Sequence, residues 1–217
     1  MLNDPVTEPR GDFDIHLTVR PVPDGLVPDA ADRLAELAAR HGCKFTDIEL
    51  ARGAVRTQPM VTGTGSGTLA AQRALAAGWA RTLRAEGYEV IRTKIEAAPW
   101  NDGVPADDQA AAREPAGRYF EHHVKLLLDA AELDGLAAAV EPYGAHLSRN
   151  ARRERQDGRH ERFVTQRCHA VGQAAARRRL ATLVDAVRAR GHRIVSVEEE
   201  YVMVDDNTAI DAGWIAA

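Results

Sequence analysis

A chain of 217 residues, 45% hydrophobic and 28% charged, is large enough for one sizeable domain or two small ones and has the make-up of an ordinary globular protein. Its net charge of −4 gives no global pull toward nucleic acid or an anionic membrane. Two cysteines without CxxC spacing, no basic-then-apolar leader and no apolar run near the ~18 residues of a membrane span read as a soluble, cytoplasmic protein with reduced thiols.

The first pattern is a strict alternation over 13–20. Phe13, Ile15, Leu17 and Val19 share one face, and Asp14, His16, Thr18 and Arg20 share the other, which predicts a strand with one buried face. Pro21, Pro23 and Pro28 punctuate a loop, after which Asp29 can cap a helix over 30–41 that stops at Gly42. Strands are predicted over 45–50 and 58–64, a helix over 69–86 ending at Gly87, and a strand over 88–95. The Gly-rich run Thr62–Thr68 reads as a loop leading to a helix N-terminus, where an anion could dock. Residues 98–117, rich in Ala, Pro, Asp and Gly, read as a linker. A strand over 119–127, a helix over 131–143, a hairpin over 145–168 turning at Asp157-Gly158, a helix over 173–190 and a strand over 192–203 follow.

The second series repeats the first. Phe13-Asp14-Ile15-His16 returns as Phe120-Glu121-His122-His123, Met60-Val61-Thr62 as Phe163-Val164-Thr165, and Arg84-Ala85-Glu86-Gly87 as Arg188-Ala189-Arg190-Gly191, at an offset of about 103–107 residues. Each series has the order βαββαβ. The expected fold is therefore α+β, with two tandem ferredoxin-like repeats related by a pseudo-twofold axis and their sheets facing across a shared cleft. The expected boundaries are 1–97 and 118–204 for the repeats, 98–117 for the linker, and 205–217 for a tail whose Trp214 and Ile215 pack on the body.

The polar strand faces carry the chemistry. His16 and His123 hold equivalent positions, and imidazole is the side chain that titrates near neutrality, so the pair can divide acid and base work. Glu121 and Thr18 complete the candidate catalytic set. Arg20, Lys125, Arg92, Lys94, Thr62, Thr165 and Arg167 are the candidates for holding a substrate. No cofactor is expected from the sequence. A divalent metal, if one is used, would take His16, His123, Glu198 and Glu200, although no tight ligand spacing such as HExxH is present.

His16-Leu17-Thr18 resembles the HxT signature of the two-histidine phosphoesterases, which implies paired histidines acting on a phosphate ester; the second half carries Lys125 where that pattern has threonine. Glu121-His122-His123-Val124-Lys125 resembles the ExExK strand of the triphosphate tunnel enzymes, with His123 in place of the middle acid. Neither likeness extends over ten residues, and neither places the chain in a family. The functional expectation is an enzyme, hydrolase- or phosphoesterase-like, acting by histidine acid–base chemistry on a small anionic substrate between the repeats. The alternatives are a non-catalytic module binding an anionic metabolite, and RNA binding through the arginines of 149–162. Glu154, Asp157 and Glu161 interleave with those arginines and no aromatic side chain is present for base stacking, so nucleic acid is the less favoured partner.

Overall fold

The computed structural model describes residues 8–21, 28–153 and 155–215 of the chain. Most of the expected Pro21–Pro28 loop and the interleaving Glu154 lie outside the described residues. The fold is mixed α/β with an eight-stranded antiparallel sheet. Its strands are β1 (Arg10–Val19), β2 (Lys44–Leu50), β3 (Thr57–Thr68), β4 (Val90–Ala97), β5 (Tyr119–Leu128), β6 (Ala145–Asn150), β7 (His160–His169) and β8 (Arg193–Asp205). The helices are α1 (Pro28–Arg40), α2 (Leu69–Ala85), α3 (Asp108–Ala111), α4 (Leu136–Val140) and α5 (Gln173–Ala189).

The sheet closes on itself in the order β1-β3-β2-β6-β7-β5-β8-β4. The expectation of two separate sheets facing across a cleft is corrected here. Two seams join the halves, one pairing Ile48, Glu49 and Leu50 with Asn150, Arg149 and Ser148, the other pairing β4 with β8 from Lys94↔Asp205 to Ala97↔Tyr201. Closure pairs strand edges that would otherwise be left with free N–H and C=O groups, and turns the cleft into a barrel lumen. Within each half the pairing order is the same: the first strand lies between the third and fourth, and the second pairs with the third.

The alternation in β1 decides which residues go where. Phe13, Ile15, Leu17 and Val19 are buried on the outer wall beneath the helices, while Asp14, His16 and Thr18 face the lumen. The apolar core therefore lies outside the barrel. Leu17, Val19 and Val61 pack with Leu34 and Leu37 of α1 and Leu83 of α2; Val124, Leu126 and Leu128 pack with Leu180, Leu183 and Val187 of α5. Each such side chain contributes about 1.5–3 kcal/mol on burial, so the helices fix the barrel from outside and leave its interior free to be polar.

Two elements depart from the sequence expectation. The Gly-rich run Thr62–Thr68 is strand, not loop, because β3 continues beside β1 as far as the Arg10↔Thr68 pair. Its glycines make room for α2: a Cβ on Gly63 would lie 2.1 Å from the Trp79 ring, and one on Gly65 would lie 2.0 Å from Gln72 Oε1. Thr68 then caps α2 by accepting from the Ala71 N–H. The helix expected over 131–143 is broken. Gly135 sits at φ 75° and Pro142 lacks an N–H, so only Leu136–Val140 is α-helical, with a 3₁₀ turn on either side at Ala130–Glu132 and Glu141–Tyr143. The described part of the tail lies against the barrel. Trp214 and Ile215 bury against Leu50, and Trp214 Nε1 donates to the Leu147 carbonyl at 2.8 Å.

Candidate functional site

The lumen encloses a cavity of about 280 Å³. Side chains of β1, β3, β4, β5, β7 and β8 converge on it because alternate residues of each strand point inward. His16, His123, Glu121, Thr18, Thr62, Thr165, Arg92, Lys94, Arg167, Glu198 and Glu200 all line it. Two of the sequence candidates do not. Arg20 lies exposed just beyond β1, in a fork with Glu89 at 2.5 and 2.8 Å. Lys125 is tied to Glu161 at 2.9 Å and lies over the Phe163 ring, outside the cavity lining.

Each imidazole meets a threonine hydroxyl at Nδ1 and carboxylate at Nε2. His16 Nδ1 meets Thr62 Oγ1 at 2.8 Å, and its Nε2 meets Glu96 Oε2 at 2.5 Å. His123 Nδ1 meets Thr165 Oγ1 at 3.0 Å, and its Nε2 lies 3.3 Å from Glu121 Oε1 and 3.5 Å from Glu200 Oε2. The threonine in each case is the residue directly across the ladder, His16↔Thr62 and His123↔Thr165.

The remaining charges form one network. Lys94 Nζ sits 2.6 Å from Glu96 Oε1 and 2.6 Å from Glu121 Oε1. Arg167 bridges Glu121 at 2.5 Å and Asp211 at 2.7 Å. Arg92 forks onto Asp205 at 2.8 and 2.6 Å and reaches Asp211 at 3.0 Å. Tyr119 donates to Asp205 at 2.6 Å, and Gln58 donates to Asp211 at 2.9 Å. Asp211 arrives from the tail, which sequence reading treated only as packing; the Asp205-Asp206-Asn207 cluster was its one visible sign.

Burial and pairing compete to set the protonation of these groups. Burial works against the charge on His123, but Glu121 and Glu200 outweigh it and push the imidazolium up to about 10. Burial alone would raise the Glu96 and Glu121 carboxyls; Lys94 and His16 around the first, and Arg167 and Lys94 around the second, hold both well below the usual carboxylate range. Asp14 and Glu200 are raised: burial is the largest cause at both, the Glu96 charge adds to it, and the neighbouring imidazoles offset it only in part.

The expectation that Arg92, Lys94 and Arg167 would neutralise a substrate meets a different arrangement. Each is already shared between two carboxylates. Seven carboxylates (Asp14, Glu96, Glu121, Glu198, Glu200, Asp205 and Asp211) stand against these three permanent cations, so with the carboxylates ionised the lumen is electronegative even when both histidines are charged.

The metal expectation named His16, His123, Glu198 and Glu200. Among the described residues, the three ligand-type side chains that converge within 4.8 Å are instead Glu96, Glu121 and His123. The Lys94 ammonium contacts both of those glutamates and so supplies the positive charge that an ion would bring. A metal would have to displace it. The arginine hairpin is also largely neutralised: Arg149, Arg152, Arg153, Arg155 and Arg159 each have a carboxylate within 4.0 Å.

No family model matches the chain, and no curated protein matches it. Among solved structures it is similar to a point mutant of chlorite dismutase from Candidatus Nitrospira defluvii, with 10% identity over 93% of each chain and a TM-score of 0.29. A likeness at that level assigns no function.

Proposed function

We propose that the barrel lumen is the active site of an enzyme that moves protons on a small molecule, with His16 and His123 in different roles. The observation that carries this reading is the matched pair of hydroxyl–imidazole–carboxylate contacts around one cavity. Glu96 is held ionised by Lys94, so it accepts from His16 Nε2–H. In the neutral ring, that leaves the Nδ1 lone pair facing the Thr62 hydroxyl, the arrangement of a general base with an oriented tautomer. His123 is held as the imidazolium by Glu121 and Glu200, and would offer its charge and N–H to negative charge developing on the substrate.

The substrate expected from the sequence was anionic. With Arg92, Lys94 and Arg167 already paired, the geometry supports a neutral or cationic molecule better. We also propose that the two halves descend from one duplicated βαββαβ module, over 1–97 and 118–204 with a linker at 98–117. The shared pairing order and the two Thr–His pairs support this. The protein is proposed to work in the cytoplasm, without a nucleic-acid partner.

A non-catalytic binding module is the second reading, favoured by the fact that all four imidazole nitrogens already have protein partners. One experiment separates the two. Small-molecule mixtures are incubated with the wild type and with His16→Ala and His123→Ala, and consumed species are followed by mass spectrometry. A species turned over by the wild type and slowed about 10²–10⁴-fold in each folded variant is the expected result. Equal turnover in all three proteins would remove the histidines from the chemistry, and binding without turnover would establish the binding module.

A further inference from the structure

The barrel is not sealed along its whole height. The β4–β8 seam runs only from Tyr201 to Asp205 on the β8 side, and residues 193–200 of β8 pair with β5 alone. The gap is a lateral opening of about 850 Å³ between β8 and the ends of β1 and β4, and it shares Asp14, Glu96, Glu198 and Glu200 with the lumen. It is therefore an entrance to the candidate site.

Its chemistry is one-sided. Asp12, Asp14, Glu96, Glu198, Glu199 and Glu200 line it, with no lysine or arginine among the lining residues. Asp14 has no hydrogen-bonded or ion-paired side-chain partner among the described residues, and Glu198 accepts only from the Ser196 hydroxyl, at 3.4 Å. The deepest group is also left short. Glu96 is buried, and its Oε1 has Lys94 Nζ 2.6 Å away for charge but receives no hydrogen bond of acceptable geometry. A buried acceptor that receives no hydrogen bond, on a residue lining the opening, is a position that a ligand N–H would satisfy. At the rim, Trp100 is 75% exposed and Val197 40%, apolar surface that the described residues leave open.

We propose that this opening admits and holds a small amine-bearing molecule, its ammonium among Asp14, Glu96 and Glu198 and its apolar body against Trp100 and Val197. An ammonium brings three donors and a positive charge to Asp14 and Glu198, which have no ion-pair partner among the described residues, and a donor to Glu96 Oε1. The indole face adds attraction for a cation. The carboxylates sit inside an opening continuous with the lumen, which favours a small molecule over a side chain on a protein surface. The inference rests on the reading of the lumen as the reaction site and names the class of substrate it would take.

Calorimetric titration with three probes of matched shape, benzylammonium, benzyl alcohol and benzoate, tests it. Benzylammonium is expected to bind at least about tenfold more tightly than either of the others, and to weaken as salt screens the carboxylates. Glu198→Gln should weaken benzylammonium about fivefold and Trp100→Ala about two- to fivefold, on the scale of partly exposed charge and cation–π contacts, with benzyl alcohol unmoved by the first. Benzoate binding as well as benzylammonium would overturn the proposal. So would an affinity insensitive to Glu198→Gln, displacement of benzylammonium by magnesium alone, or a lysine tripeptide binding more tightly than the small amine. His16→Ala and His123→Ala should still bind benzylammonium. Amine binding that survives while turnover ignores the histidines would sink the catalytic reading alone; histidine-dependent turnover without amine preference would sink this inference alone.

Discussion

Replacing Lys94 by methionine keeps the length of the side chain and removes the one cation that touches both Glu96 and Glu121. Glu121 keeps Arg167, but Glu96 is left, among the described residues, with the His16 ring as its one remaining ionisable contact. Removing one partner of a buried ion pair costs about 3–5 kcal/mol because the other charge stays buried and unmatched. At about 2–4 °C per kcal/mol for a chain of this size, the melting temperature should fall by roughly 6–20 °C. The sign of the pH dependence follows from the carboxylates. In the wild type, both are held below their usual range, so they stabilise the fold above the unfolded carboxyl value of 4.5, and that contribution is lost as pH falls through their folded values. Without Lys94 their protonated forms become easier to reach, so the variant is least penalised in acid. Thermal unfolding followed by circular dichroism at pH 5 and pH 8 should show a gap from wild type that widens with pH. With the ammonium gone, Glu96, Glu121 and His123 are also free to take a divalent cation, so zinc or manganese should raise the melting temperature of the variant more than that of the wild type. A loss below about 1 kcal/mol at both pH values would refute the view that Lys94 is what makes this cluster stable.

Two further substitutions probe the scaffold. Gly63→Ala sets a methyl group against the Trp79 ring and should cost about 1–3 kcal/mol in urea unfolding, with the loss reduced when Trp79 is changed to leucine in the same chain. Trp214→Ala removes the anchor that places Asp211 beside Arg92 and Arg167; it should cost about 3–5 kcal/mol and make the C-terminal segment the first site of limited proteolysis.

The order of strands and most helices could be read from the sequence because each is a local pattern. The alternation of Phe13 to Val19 with Asp14 to Thr18 also gave the correct inward face, since a one-residue slip would have moved every side chain to the other side. Barrel closure could not be read, because the Leu50↔Ser148 and Ala97↔Tyr201 pairs join residues about 100 apart and leave no local mark. The glycines of β3 misled for a related reason: Gly63 and Gly65 look like loop residues until α2 is seen lying against them.

The candidate site was legible in its residues more than in its balance of charge. His16, His123, Thr62 and Thr165 share one wall pattern that strand register alone predicts. That Arg92 and Arg167 are already occupied depends on Asp205 and Asp211, which reach the lumen from the end of β8 and from the tail. Arg20 lies just past the end of β1 in its fork with Glu89, and Lys125, inside β5, is tied to Glu161, so neither lines the lumen.

The central claim is that the lumen divides its two histidines, holding His123 as a charged donor while Glu96 orients His16. Nitrogen-15 NMR of the ring nitrogens in histidine-labelled protein tests it most directly, with His16→Gln and His123→Gln used to assign the signals. A folded-state value raised above the unfolded 6.5 means that the His123 charge stabilises fully below pH 6.5 and ceases to as pH rises through about 10. The account requires the His123 ring to remain doubly protonated at pH 8 and to titrate near 10, and Glu200→Gln to move that midpoint down. A neutral His123 at pH 8 in the folded protein would contradict it.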